Sequence, residues 1–296
     1  MSASWPKWGP MKNALTFDVE EYFHAEVFSG VLRPEDWPGL ESRVEHSTQR
    51  LLDILDRERV RATFFVLGWV AERHPALVRE IAALGHEIGC HGYGHRMIQH
   101  LERHEFAEDV RRAKKVLEDT AGAAVMGYRA PTFSVMRETL WSLEILGEAG
   151  FLYDSSIFPI VHDRYGIPDA PRFPHRLRLN GAGGITEFPL STVTLLGRRL
   201  PVAGGGYFRL LPYEMTRRAI ARLNVRERQP AIVYLHPWDV DPDQPRQPVN
   251  AFSWWRHTVN ADKVAGRLQR LLQDFRFAPA CEVLADSDLL PMGDPR

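Results

Sequence analysis

Three carboxylates follow directly on an apolar run in "ALTFDVEEYF": Asp18, Glu20 and Glu21. Isolated charges at the end of a buried strand are costly unless they are paired or do chemistry. Side chains alternate along a strand, so Asp18 and Glu20 share one face and Glu21 takes the other. Further along, "HEIGCHGYGHR" brings His91 and His95. Gly92 and Gly94 between them would each cost a helix about 1 kcal/mol, which predicts a tight loop after the strand "HEIGC". Two imidazoles and one carboxylate are a set that suits a catalytic Zn²⁺, which keeps positions open for water and substrate.

Three more polar residues stand at the ends of apolar runs. Arg129 in "YRAPTF" would need a carboxylate if buried, and Asp18 is a candidate. Asp154 follows "FLY", and His236 ends "AIVYL". Each has a plain alternative: a solvated strand end, a chance pair among 12 histidines, a surface arginine, a turn or cap aspartate, a satisfied core histidine. Five such positions in one chain are harder to set aside than any one of them.

The elements that must hold these residues read as an alternation. After the first strand, "HSTQRLLDILDRERV" predicts a helix with Ser47 or Thr48 as N-cap, and "RATFFVLG" a strand. "HPALVREIAALG" predicts a helix with Pro75 in its first turn and Gly85 at its end, followed by "HEIGC"; His86 is expected to cap that turn. A helix near 104–119, a strand near "VMGYRAPTF", a helix in "RETLWSLEILGEAG" and a strand at "FLYDSSIF" continue the rhythm. Such an order predicts a parallel α/β sheet or barrel, whose active sites lie in loops at the C-terminal strand ends. Residues 158–210 are rich in Pro, Gly and Arg and read as irregular loops with short β segments. "AIVYL" is continuously apolar, as in a strand buried on both faces, and belongs in the same sheet as the first strand. The last stretch, "APACEVLADSDLLP", reads as a strand and a helix.

Bulk properties exclude several classes. The chain has 296 residues, 44% apolar and 25% charged, the profile of a globular protein with a sizeable core. A net charge of −1 offers no field for nucleic acid or an anionic membrane, and no apolar run approaches the ~18 residues of a membrane span. Two cysteines make no disulfide framework. The first 17 residues lack the apolar core and cleavage site of a secretory leader, so a cytoplasmic location is expected.

From about residue 14 to about residue 240 the five segments resemble, in order, the motifs of the NodB-type polysaccharide deacetylases, carbohydrate esterase family 4. That family commonly shows T-F-D-D-G, H-[ST]-x-x-H, R-x-P-[YF], an Asp-centred fourth motif and L-x-H; here stand "TFDVEEYF", "HGYGH", "RAPTF", "YDSSIF" and "YLHPWD". The wording, with "GGGYFRLLP", more narrowly resembles the exosortase-associated subgroup linked to exopolysaccharide synthesis. The resemblance implies a distorted (β/α)7-type barrel, one domain over 12–296 with an insertion at about 158–228 and a C-terminal extension at about 240–296. It implies a divalent metal, Zn²⁺ or else Co²⁺ or Mn²⁺, on Glu20, His91 and His95, and an N-acetylated saccharide as substrate. Asp18 would be the general base, Arg129 its partner, and the Thr132 N–H a donor to the oxyanion. His236 would protonate the leaving amine, with Asp154 keeping its imidazole charged and oriented. Two departures stand out: Val19 replaces the second Asp of the first motif, leaving Glu20 as the metal-binding acid, and Thr132 replaces the aromatic of the third. The alternatives are an amidohydrolase of a cyclic amide or ureide on the same barrel, whose second motif lacks the second His, and a weakly catalytic glycan-binding relative.

Overall fold

Strand β1 (Lys12–Val19) is buried at every position but its first, and three strands pair with it in parallel. The computed structural model describes residues 11–179, 183–202 and 204–290; the leader reading of the first ten residues and the end of the expected domain at 291–296 lie outside them. From β1 the chain alternates as the apolar periodicity predicts. Helix α1 (Val44–Glu58) leads to β2 (Thr63–Val66), α2 (Gly68–Arg73) and α3 (Pro75–Ala83) to β3 (Glu87–Cys90), α4 (Arg103–Ala121) to β4 (Gly127–Tyr128), and α5 (Ser142–Glu148) to β5 (Tyr153–Asp154). Parallel neighbours joined through helices bury both sheet faces, and "TFFV" is accordingly buried at every position.

Helix α1 starts earlier than its expected Ser47 or Thr48 cap. Both residues lie buried inside the helix, and Ser47 instead donates to Asp241 Oδ2 at 3.0 Å. Its N-terminus is served from the sheet: Glu21 Oε2 accepts the Arg43 N–H at 2.9 Å, and the Ser42 hydroxyl donates to Glu21 Oε1. Glu21 thus faces away from Asp18 and Glu20 and satisfies a helix end.

The segment expected as an irregular insertion is part of the sheet at its start. Strand β6 (His175–Arg178) pairs antiparallel with β7 (Gly184–Glu187), and β7 runs parallel to β5. Strands β8 (Thr192–Leu195) and β9 (Arg198–Pro201) form a separate hairpin. Helices α6 (Gly205–Leu210) and α7 (Tyr213–Ala221) precede β10 (Ile232–Leu235), fully buried and parallel to β1 with Ala14 opposite Ile232. After α8 (Ala251–Thr258) and α9 (Ala261–Asp274), β11 (Arg276–Ala278) pairs with Lys12–Ala14, and α10 (Ala280–Asp286) packs on the sheet.

The order β10-β1-β2-β3-β4-β5-β7-β6 is that of an opened, mostly parallel barrel. At its seam the Ile232 N–H donates to Ser191 Oγ at 2.8 Å, a side chain bridging where a strand ladder would close a regular barrel. The C-terminal ends of β1, β3, β4 and β10 converge on one mouth.

Candidate metal centre and active site

Asp18 and Glu20 project from the end of β1 into a cavity of about 390 Å³, which His91, His95, Thr132 and His236 also line. Its outer wall comes from the later segment, with Tyr165, Tyr207 and Arg256.

Arg129, fully buried, is held at every nitrogen. Nη1 donates to Asp18 Oδ1 at 2.8 Å and Thr16 Oγ1 at 2.7 Å, Nε to the Ser155 carbonyl at 3.0 Å, and Nη2 to Ser155 Oγ at 2.9 Å. The guanidinium also lies over the Phe65 ring, 4.3 Å from its centroid. A buried ion pair with its remaining donors satisfied is a rigid one, so Asp18 is aimed.

The histidine loop is built as its glycines suggest. Gly92 has φ +76°, and a Cβ there would lie 3.1 Å from Asp109 Oδ2, which accepts the Tyr93 N–H at 2.8 Å. His91 Nδ1 sits 2.8 Å from the Arg129 carbonyl, which fixes its hydrogen there and leaves the Nε2 lone pair facing Glu20 Oε2 at 4.0 Å. Burial draws His91 down to about 4, so its imidazole is neutral at pH 7. His95, with φ 51°, places Nε2 2.7 Å from the same Glu20 oxygen. Burial pushes the His95 pKa down, but the charge of Glu20, its hydrogen bond and the further charges of Glu26 and Asp18 lift it above its ordinary value.

The donor set fits a divalent ion. One ligand atom each from Glu20, His91 and His95 lie within 4.8 Å of one another. Glu20 is 3% exposed, and its Oε2 is buried without an aligned hydrogen-bond partner. A buried carboxylate oxygen facing two imidazole nitrogens is a donor set that could hold a cation between them. Backbone strain collects here too: His95, Thr132 and Phe133 have φ of 51°, 54° and 52°, and all three line the cavity.

His236 ends β10 with Nε2 3.6 Å from Glu20 Oε1 and 4.0 Å from Asp18 Oδ2. Its partner is not the expected one. Asp154 is bound to Ser156 Oγ at 2.6 Å, and this hydroxyl accepts the Ala130 N–H at 2.8 Å; Asp154 also faces Glu187 of β7. Burial raises both carboxyls, Glu187 well above the usual range, so this pair retains a proton. β5 and β10 lie on different sides of β1 in the sheet, and the "DSSIF" segment therefore braces the Arg129 loop rather than His236. The imidazole is oriented from its own turn: Asp239 Oδ2 accepts the His236 N–H at 2.8 Å and lies 3.2 Å from Nδ1, and Trp238 stacks on the ring at 4.3 Å. Nor is the ring held charged: burial, Arg209, His91 and His95 bring His236 to about 3 against the pull of Asp18.

Sequence reasoning missed two residues. Asp239 stands three places after His236, and "HPWD", with Pro opening a turn, was the available signal. His24 carried none. It is buried, stacks on His95 at 5.8 Å and accepts the Glu21 N–H on Nδ1 at 3.1 Å, forming a neutral wall behind that ligand.

Fold and site together define an α/β barrel-like protein with a His₂–carboxylate centre at its strand ends, beside an Asp–Arg ion pair. Residues 13–151 match the family model described as Polysaccharide deacetylase, and residues 155–285 match a Domain of unknown function (DUF3473). Residues 13–151 are thus similar to a polysaccharide deacetylase domain. Among curated relatives, the peptidoglycan-N-acetylglucosamine deacetylase of Bacillus cereus is 34% identical over 134 residues, covering 43% of this chain and 46% of that protein. A chitooligosaccharide deacetylase of Rhizobium leguminosarum bv. trifolii is 50% identical over 50 residues, 17% of this chain and 23% of the relative. The chain spans under half the length of these relatives. A crystal structure from Mycobacterium smegmatis, provisionally assigned as a polysaccharide deacetylase, covers 99% of this chain and 96% of its own with TM-score 0.62 and 24% identity. The PuuE allantoinase covers 95% and 91% with TM-score 0.62 and 17% identity. At those identities the two structures speak for the fold alone.

Proposed function

We propose that the protein is a metal-dependent N-deacetylase of an amino sugar or polysaccharide, acting in exopolysaccharide synthesis. The observation that carries this is the buried Glu20 Oε2, 2.7 Å from His95 Nε2 and 4.0 Å from His91 Nε2, beside an Asp18 carboxylate clamped by Arg129. The match over 13–151 and the deacetylase names of the relatives support the reaction class.

Glu20, His91 and His95 would hold the ion, Zn²⁺ first among N/O-ligand choices and Co²⁺ or Mn²⁺ after it. When bound it supplies Lewis acidity to the acetyl carbonyl and to water. Asp18 takes the water proton as general base, and Arg129 keeps that carboxylate aimed at the cavity. Thr132, in left-handed backbone at the cavity wall, would offer its N–H to the developing oxyanion, an interaction of about 2.7–4 kcal/mol for a well-aimed donor. His236 gives the departing amine its proton through Nε2. With Asp239 at Nδ1 that nitrogen rests bare, so His236 first takes up the proton it delivers, and Asp18 Oδ2 at 4.0 Å is the near donor once it has accepted one. Asp154 acts at one remove, through Ser156 and the Arg129 loop.

The test is acetate release from a panel of N-acetylated saccharides, with and without chelator, then with Zn²⁺, Co²⁺ or Mn²⁺ restored. Chelator-sensitive release supports the reading. Release indifferent to chelator, or turnover of cyclic ureides instead, overturns it.

A further inference from the structure

His236 depends on Asp239, and Asp239 has a partner of its own. Fully buried, it divides its two oxygens: Oδ2 serves the His236 N–H and Nδ1, while Oδ1 faces the Arg209 guanidinium as an ion pair. A buried carboxylate without a cation is strongly disfavoured, and among the described residues Arg209 is the one cation ion-paired with this carboxylate, the His236 ring being neutral. Arg209 is itself 6% exposed and belongs to α6, which is fixed at both ends. At one end there is no room for side chains: a Cβ on Gly204 would lie 2.3 Å from the Tyr234 hydroxyl oxygen, and one on Gly205 2.3 Å from Asp239 Oδ2. At the other, Arg267 Nη1 donates to the carbonyls of Phe208, Arg209 and Leu211 at 2.7, 2.9 and 3.2 Å, and Asn260 Nδ2 to that of Arg209 at 3.0 Å.

We propose that Arg209 is a positioning residue for His236: pinned by the glycine contacts and by α9, it fixes the Asp239 carboxylate, which sets the tautomer and ring angle of His236. Residues 155–285, the region that matches a domain of unknown function, thereby build and hold the proton-donor end of the site. Tight packing explains Gly204 and Gly205 of the run "GGG" before "YFR"; Gly206 faces open space. A larger residue at 204 or 205 would lift α6 off Tyr234 and Asp239 and carry the guanidinium with it.

The kinetic part of the test rests on the deacetylase reading; the spectroscopic part does not. Histidine-selective ¹⁵N labelling reports the tautomer of His236 from its ring nitrogen shifts, assigned by loss of the signal in His236→Gln. The native protein is expected to show one Nδ1–H tautomer, and Arg209→Met to show a mixture. On the substrate found by acetate release, Arg209→Met should lower kcat about 10–100-fold, with KM and bound metal unchanged. Arg209→Lys should recover most of kcat, and Asp239→Asn should lose it with the tautomer. Should Arg209→Met not fold, the near-isosteric Asp239→Asn carries the same readouts. A single unchanged tautomer in Asp239→Asn or in Arg209→Met overturns the proposal, as does a raised KM at native kcat in Arg209→Met, which would make Arg209 a substrate-binding group. A shifted tautomer in a protein that releases no acetate from any saccharide supports the clamp and counts against the deacetylase reading.

Discussion

At the residue scale, Asp18 and Arg129 have separable duties, one chemical and one supporting. Asp18→Asn preserves volume and leaves Glu20, His91 and His95 untouched. It should retain bound metal by elemental analysis while turnover drops about 10²–10⁴-fold, the usual worth of a positioned general base. A fully active variant would remove Asp18 from that role. His86 offers a second test, remote from the cavity. Expected to cap the turn after Gly85, it in fact accepts the Ala62 N–H on Nδ1 at 3.2 Å, and burial, with Arg61 adding, lowers it from 6.5 to about 4. Between those values the folded chain binds fewer protons at His86 than the unfolded chain, so its contribution is complete above pH 6.5 and is lost as pH falls toward 4. His86→Asn keeps an acceptor but cannot titrate. Its melting temperature should fall less steeply than the native one across that window, as followed by circular dichroism; parallel slopes would contradict the assignment.

At the element scale, close approaches decide how far the sheet tolerates change. Gly127 of β4 lies against Tyr153 of β5, where an added Cβ would sit 2.1 Å from the ring carbon bearing the hydroxyl. That ring is tethered by its hydroxyl, which donates to Glu87 Oε1 at 2.8 Å, so it cannot swing aside. Gly127→Ala should therefore cost about 1–3 kcal/mol in urea unfolding. What sequence made legible follows the same logic of elements. Asp18, Glu20, His91, His95, Arg129 and His236 were readable because each ends a run whose period already declares a strand. Asp154 ends such a run too, but which neighbour a strand-end side chain meets depends on sheet order, and no local pattern carries that. β7 was missed as a sheet member since four residues, "GITE", between Pro- and Gly-rich stretches give too short a period to read. The Ser47 or Thr48 cap failed because a distant residue, Glu21, satisfied the helix end first.

At the scale of the whole molecule, the boundary between the two matched regions runs through the site. The proposed base Asp18, the candidate ligands Glu20, His91 and His95, and Arg129 lie in 13–151, while His236, Asp239 and Arg209 lie in 155–285. The sheet is shared likewise: β10 and β11 flank β1, and β7 flanks β5. A fragment ending at residue 154 would expose both flanks of a parallel sheet that buries its strands on all sides. Expressed alone, it should show no cooperative thermal transition by circular dichroism; a sharp transition would mean the first region is an independent folding unit.

The pairing of Ala14 with Ile232 has a bearing on how the chain is born. The central strand leaves the ribosome more than two hundred residues before its neighbour in the sheet. At about 5–20 residues per second, β1 waits on the order of 10–40 s with one edge open. Native structure around Glu20, His91 and His95 can then consolidate only once β10 has emerged, and until that moment the nascent apolar strand is a natural client for chaperones.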